Sequence, residues 1–121
     1  MYTIPRNTRH KEAAMKKQSI EHTHLLILSL LAGEDMYGYQ MITELARRSQ
    51  NVFSMKEGTL YPVLHGLEKQ GYVEAYQQAA ESGRMRKYYR ITRKGLKALE
   101  EKKEEWNFFT EKVNAVVCSP V

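Results

Sequence analysis

Two clusters of side chains in this sequence could do chemistry. The first is GTLYPVLHGLEK, residues 58–69. At about 100° per residue, Gly58, Tyr61, Pro62, His65 and Lys69 gather on one face of a helix, with Thr59 and Gly66 on its flank. Opposite them, Leu60, Val63, Leu64 and Leu67 form a narrow apolar stripe. Thr59, Tyr61 and His65 can exchange hydrogen bonds, and Lys69 offers a point charge. The glycines let a ligand approach the backbone closely. Glu57 and Glu68 stand only at the margins of that face, so its centre carries no negative charge. The second cluster is Arg84, Arg86, Lys87 and Arg90, opposed at its edge by Glu81 alone, with Arg93 and Lys94 just beyond. A helix face rich in hydrogen-bonding groups beside a basic patch suits a polyanion, the helix reading base edges and the cations neutralising phosphates. A solvated basic turn is the plainer reading of the second cluster.

These residues need elements to hold them. Ser54 to Glu57 fits a capping box, but that start would put Pro62 deep in the helix, where proline is poorly tolerated. The regular part is therefore expected to begin between Glu57 and Thr59, with Gly71 as its C-cap. Upstream, SIEHTHLLILSLLA (19–32) reads as a central helix that is apolar over much of its circumference. Asp35 can cap a second helix, Met36 to about Ser49, whose inward stripe is Met41, Ile42, Leu45 and Ala46. Downstream, Tyr72–Tyr76 and Arg86–Thr92 read as strands joined by a loop containing Ser82 and Gly83, with Tyr89 and Ile91 on one face and Tyr88 and Arg90 on the other. Thr92 can cap a last helix running to about Val117. The fold expected is mainly α with a small β-hairpin: a winged helix-turn-helix over residues 19–92, a basic arm over 1–18, and a C-terminal dimerisation helix over 93–121.

On the last helix, Leu99, Trp106, Phe109, Val113 and Val116 follow a heptad seam, broken where Lys102 and Lys103 stand. The seam is too short for an isolated coiled coil. It could pack within its own subunit, but a helix of this length extends about 36 Å and would outrun so small a domain. Packing on a second copy is the favoured expectation, because two-fold symmetry presents two reading helices to successive turns of DNA.

Composition narrows the remaining choices. The 121 residues carry a formal charge of +5 and 42% hydrophobic side chains, as expected of one globular domain with affinity for anions. A single cysteine, Cys118, leaves no intrachain disulfide, and the polar start has no signal-peptide core. The longest apolar run, Leu25 to Ala32, is too short to span a bilayer, so a cytoplasmic protein without membrane contact is expected. No phosphate loop, activated nucleophile or paired carboxylates point to an enzyme or a cofactor. His22 and His24, two apart on a helix, diverge, and Cys118 stands alone, so no metal site is expected. The arm is either a solvated tail or a phosphate contact.

The stretches LLILSLLAGEDMYGYQMITEL (25–45), EGTLYPVLHGLEKQGYVE (57–74), RKYYRITRKGLKAL (86–99) and the terminal EEWNFFTEKVNAVV resemble the PadR family of bacterial regulators, in its smaller form with one C-terminal helix. The resemblance implies a homodimeric repressor on a double-stranded DNA operator, with the C-terminal helices crossing at the interface. It also implies, for some members, an aromatic or drug-like effector held by a tryptophan on that helix. Trp106 matches that tryptophan, and plain dimer core is its other reading. The competing reading of the whole is a winged helix that docks a protein and binds no specific DNA.

Overall fold

The computed structural model describes residues 22–118. The basic arm and the start expected for the first helix at Ser19 lie outside the described residues. Helix α1 (Thr23–Gly33) buries Ile27, Leu28, Leu30 and Leu31, and the half-buried Ser29 satisfies its hydroxyl by donating to the Leu25 carbonyl at 2.7 Å. Strand β1 (Met36–Tyr37) follows, then α2 (Gly38–Arg48), which is followed after Ser49 by two left-handed residues, Gln50 and Asn51. Helix α3 (Glu57–Lys69) buries Leu60, Leu64 and Leu67, three members of the expected stripe. Gly71, at φ 78°, turns the chain into β2 (Val73–Ala79), which pairs antiparallel with β3 (Met85–Ile91). Helix α4 (Arg93–Val117) completes the described chain.

The expected helix order holds, but three local expectations change. Met36 and Tyr37 do not begin α2: they pair with Tyr89 and Tyr88, so the hairpin is the larger part of a three-stranded sheet in the order β1-β3-β2. Asp35 consequently caps nothing and accepts a hydrogen bond from the Tyr76 hydroxyl at 2.7 Å. Helix α3 starts at Glu57, within the expected range, with Lys56 as an N-cap that makes no side-chain bond. Strand β2 runs three residues beyond Tyr76, because Gln77, Gln78 and Ala79 find partners in Lys87, Arg86 and Met85. Thr92 behaves as expected. Its hydroxyl oxygen accepts from the Gly95 N–H at 3.0 Å, and it also lies within hydrogen-bond distance of the Gly71 and Tyr72 carbonyls, tying the hairpin's two ends to α4.

One core joins these elements: Ile27, Leu28, Met36, Met41, Leu60, Leu64, Leu67, Val73, Tyr89 and Leu99 are all buried in it. Leu99 belongs here, 1% exposed, where the sequence pattern assigned it to a second subunit. The reason is that the first two turns of α4 pack on the domain, Gly95 against Tyr72 and Ile91 and the helix along α1, burying Gly95, Ala98 and Leu99. Any seam left to face a partner can therefore start only after Leu99.

Candidate nucleic-acid interface

Helix α3 turns Gly58, Thr59, Pro62, His65 and Lys69 outward, all exposed, as its 3.6-residue period requires. Pro62, the sixth residue of the helix, has no N–H to give, so the Gly58 carbonyl loses its usual helical donor. A shallow open groove of about 700 Å³ runs beside them, lined by Pro62, His65, Gly66, Glu68 and Lys69. Tyr61 is set apart from the rest. Its hydroxyl and ring lie against Gly38, so close that a β-carbon there would meet the hydroxyl oxygen at 2.5 Å. This packing brings the first turn of α2 beside the outer face of α3. With it comes Tyr39, 64% exposed, which the sequence reading passed over. Its signal was a Tyr-Gly-Tyr run at a helix start, where exposed polar side chains and free N–H groups lie together.

The hairpin divides the basic cluster. Its tip closes through Ala80 N–H to the Arg84 carbonyl at 2.8 Å, with Gly83 at φ 87°, and Arg84 stands exposed there. Strand alternation then sends Lys87 to the inner side with Tyr89, its ammonium 5.5 Å from that ring's centroid. Arg86 and Arg90 go to the opposite side. The Arg86 guanidinium lies 4.4 Å over the Tyr37 ring, while Arg90 bonds Glu74 at 2.9 and 3.0 Å and covers Tyr76. Four cations adjacent in sequence thus occupy three places: the tip, the inner side and the outer side.

That outer side carries a row of tyrosines. The register aligns Tyr37, Tyr88 and Tyr76 across β1, β3 and β2. Tyr37 meets Tyr88 edge-on at 5.4 Å, and Tyr88 stacks on Tyr76 at 5.7 Å. The hydrogen bond to Asp35 pushes the Tyr76 hydroxyl pKa up, and burial adds to it.

Beyond Leu99, α4 exposes an apolar stripe: Trp106, Phe109, Val113 and Val116, with Phe108 and Val117 beside it. Trp106 is 36% exposed because His22 packs edge-on against it at 4.7 Å, and Phe109 lies 6.1 Å further along. His24, one turn inward, faces Lys102. Burial lowers its pKa and the Lys102 charge lowers it further. Among the described residues no group of three or more His, Cys, Asp or Glu side chains is placed to hold a metal ion, and no helix is long and apolar enough to cross a membrane. Cys118 is exposed at the end of α4.

Comparison with known proteins agrees with this architecture. Residues 27–101 match the model of the transcriptional regulator PadR-like family. A protein of Lysinibacillus sphaericus is 44% identical over 85 residues, covering 70% of this chain and 78% of that one. The transcriptional regulator Rv3488 of Mycobacterium tuberculosis is 39% identical over 77 residues, covering 64% and 68%. Among solved structures, a PadR family transcriptional regulator from Eggerthella lenta superposes with a TM-score of 0.80 at 26% identity, over 98% of this chain and all of that one (100%).

Proposed function

The chain belongs to the PadR-like family of transcriptional regulators, and from that premise we propose that it binds a double-stranded DNA operator as a homodimer and represses transcription there. The observation that carries the reading is the outer face of α3. Thr59, Pro62, His65 and Lys69 stand exposed on it, with Glu68 at the groove's edge, beside a hairpin bearing Arg84 and Lys87. In this reading Thr59, Tyr61 and His65 exchange hydrogen bonds with base edges or phosphates in the major groove, and Gly58 and Pro62 let the backbone approach. Lys69, Arg84 and Lys87 neutralise phosphates, and Tyr39 adds a hydroxyl at the start of α2. The apolar stripe from Trp106 to Val116 supports the dimer, because so much contiguous apolar surface on one helix is costly to leave in water. We extend the proposal to a small aromatic effector bound against Trp106 between subunits, acting in the cytoplasm. Such a ligand would act by preferring a dimer geometry in which the two α3 helices no longer match successive grooves.

The test is a gel shift on the duplex upstream of its own gene, at several salt concentrations and against unrelated DNA. Selective binding by two chains, lost in His65→Ala with Lys69→Ala, is the expected result. Weak unselective binding that disappears at moderate salt would overturn the reading and leave a winged helix that serves a protein partner.

A further inference from the structure

The outer side of the sheet has no place in the reading above, although it holds the most organised polar cluster among the described residues. Three tyrosines stand in register across the three strands, Arg86 lies on the first ring and Arg90 on the last, and Tyr76 bonds Asp35 just before β1. A two-stranded hairpin is marginal by itself, and β1 pairs with it through only two residue pairs, Met36 with Tyr89 and Tyr37 with Tyr88. So short a ladder fixes the register but leaves the hairpin's tilt to side chains. Arg86 is placed to set it. It precedes Tyr88 by two residues on β3 and reaches diagonally to Tyr37, whose peptide joins Gly38 and so the start of α2.

We propose that Arg86 is a positioning residue and not a phosphate contact: seated on Tyr37 at the end of the tyrosine row, it holds the hairpin at a fixed angle to α2 and α3. The inference rests on the DNA-binding reading for its purpose, since that angle decides whether Arg84 and Lys87 meet the same duplex that α3 reads. Direction supports it. Arg86 points to the side opposite Lys87 and Tyr89, and Tyr37, Tyr88 and Arg86 are each partly covered where Arg84 and Lys87 are exposed. Tyr37 carries no charge, so any effect it has on the salt dependence of binding must pass through the hairpin's cations.

The test pairs a geometric readout with a binding one. In a Cys118→Ser background, spin labels are attached at Ser82→Cys on the hairpin tip and Gln70→Cys at the end of α3, both exposed. The label–label distance is expected to be narrow, and to broaden equally in Arg86→Ala, in Tyr37→Leu and in the double variant. Tyr37→Phe is expected to keep it narrow, which separates the stacking role from mere folding. On the upstream duplex, Tyr37→Leu is expected to weaken binding roughly fivefold and to flatten its salt dependence. In an Arg84→Ala, Lys87→Ala background it is expected to do neither. Distances unchanged by Arg86→Ala, or an Arg86→Ala loss of binding that adds in full to that of Tyr37→Leu, would overturn the inference. Failure of the unaltered chain to select any duplex would overturn the DNA-binding reading, a result separable from the distances.

Discussion

The Tyr61 ring occupies the space that a side chain on Gly38 would need, with 2.5 Å from a would-be β-carbon to the hydroxyl oxygen and 3.0 Å to the ring carbon that bears it. The two residues sit on different helices, α3 and α2, so their contact sets how closely those helices approach. The atom that must yield is the far end of a half-exposed side chain. Gly38→Ala is therefore expected to displace Tyr61 and not to unfold the protein. A denaturant titration should show a change within about 1 kcal/mol, because alanine's better helix propensity offsets part of the crowding. Operator binding should fall in Gly38→Ala about as far as in Tyr61→Ala, and the double variant should be no worse than either.

Gly95 gives the opposite outcome under the same substitution. A β-carbon there collides with the Tyr72 carbonyl oxygen, and it stands 2.8 Å from Ile91 Cγ1. Tyr72's carbonyl is backbone already held by the Thr92 N–H at 2.9 Å, so it cannot swing aside. Gly95→Ala is expected to destabilise the domain by about 2–4 kcal/mol, read by thermal or denaturant unfolding. Thr92→Val, which removes the cap and the hydroxyl's ties to the hairpin, should cost about 1–2 kcal/mol.

Leu99 and Phe109 lie ten residues apart on α4 and are expected to separate folding from assembly. Leu99 is buried in its own core, so Leu99→Ala should lower stability by about 2–5 kcal/mol at any protein concentration. Phe109 is 56% exposed. Phe109→Glu should leave the fold intact and convert the proposed dimer to monomer in sedimentation, removing the concentration dependence of the melting temperature expected of a dimer.

Acidification is expected to act through His24. Its partial burial on α1 and the facing Lys102 charge on α4 make the folded chain hold this proton less tightly than the unfolded one, whose ordinary value is 6.5. The unfolded state therefore gains protons first as pH falls below about 6.5, and stability declines from there. His24→Asn should flatten that decline in unfolding curves taken between about pH 7 and 5. Glu44 behaves differently: hydrogen bonds from Arg47 and Arg48 hold its pKa down to about 2, so it stays ionised throughout that range. Its own contribution is present above the ordinary value of 4.5 and is lost as pH falls toward 2.

What the sequence makes legible here is local. The stripe Leu60–Leu64–Leu67, the cap at Thr92, the left-handed Gly71 and the alternation of Tyr88 against Tyr89 are each written within one turn or one strand, and each is found in place. The features that escaped are set by distant partners. Met36 and Tyr37 read as the start of a helix because two residues carry no period of their own; their extended form comes from β3, more than fifty residues away. Leu99 fits a heptad and a core stripe equally well, and only α1 decides between them. Arg86, Lys87 and Arg90 look like one patch in sequence, but strand parity sends them to opposite sides. Tyr39 was hidden because its neighbourhood with α3 depends on Tyr61 reaching Gly38.

Helix α4 is rooted in the core from Gly95 to Leu99, touches the domain again where Trp106 meets His22, and otherwise runs clear of the core to Val117. Mechanically the stretch from Leu99 to Val117 is a lever arm about 27 Å long with its fulcrum inside the body that carries α3. A tilt of about 10° at the root sweeps the far end through about 5 Å, and the converse holds: a displacement of about 2 Å at Val113 corresponds to a rotation of about 5° of the whole domain. Anything that wedges or releases the outer half of this rod is thereby geared down into a fine adjustment of the angle at which α3 is presented.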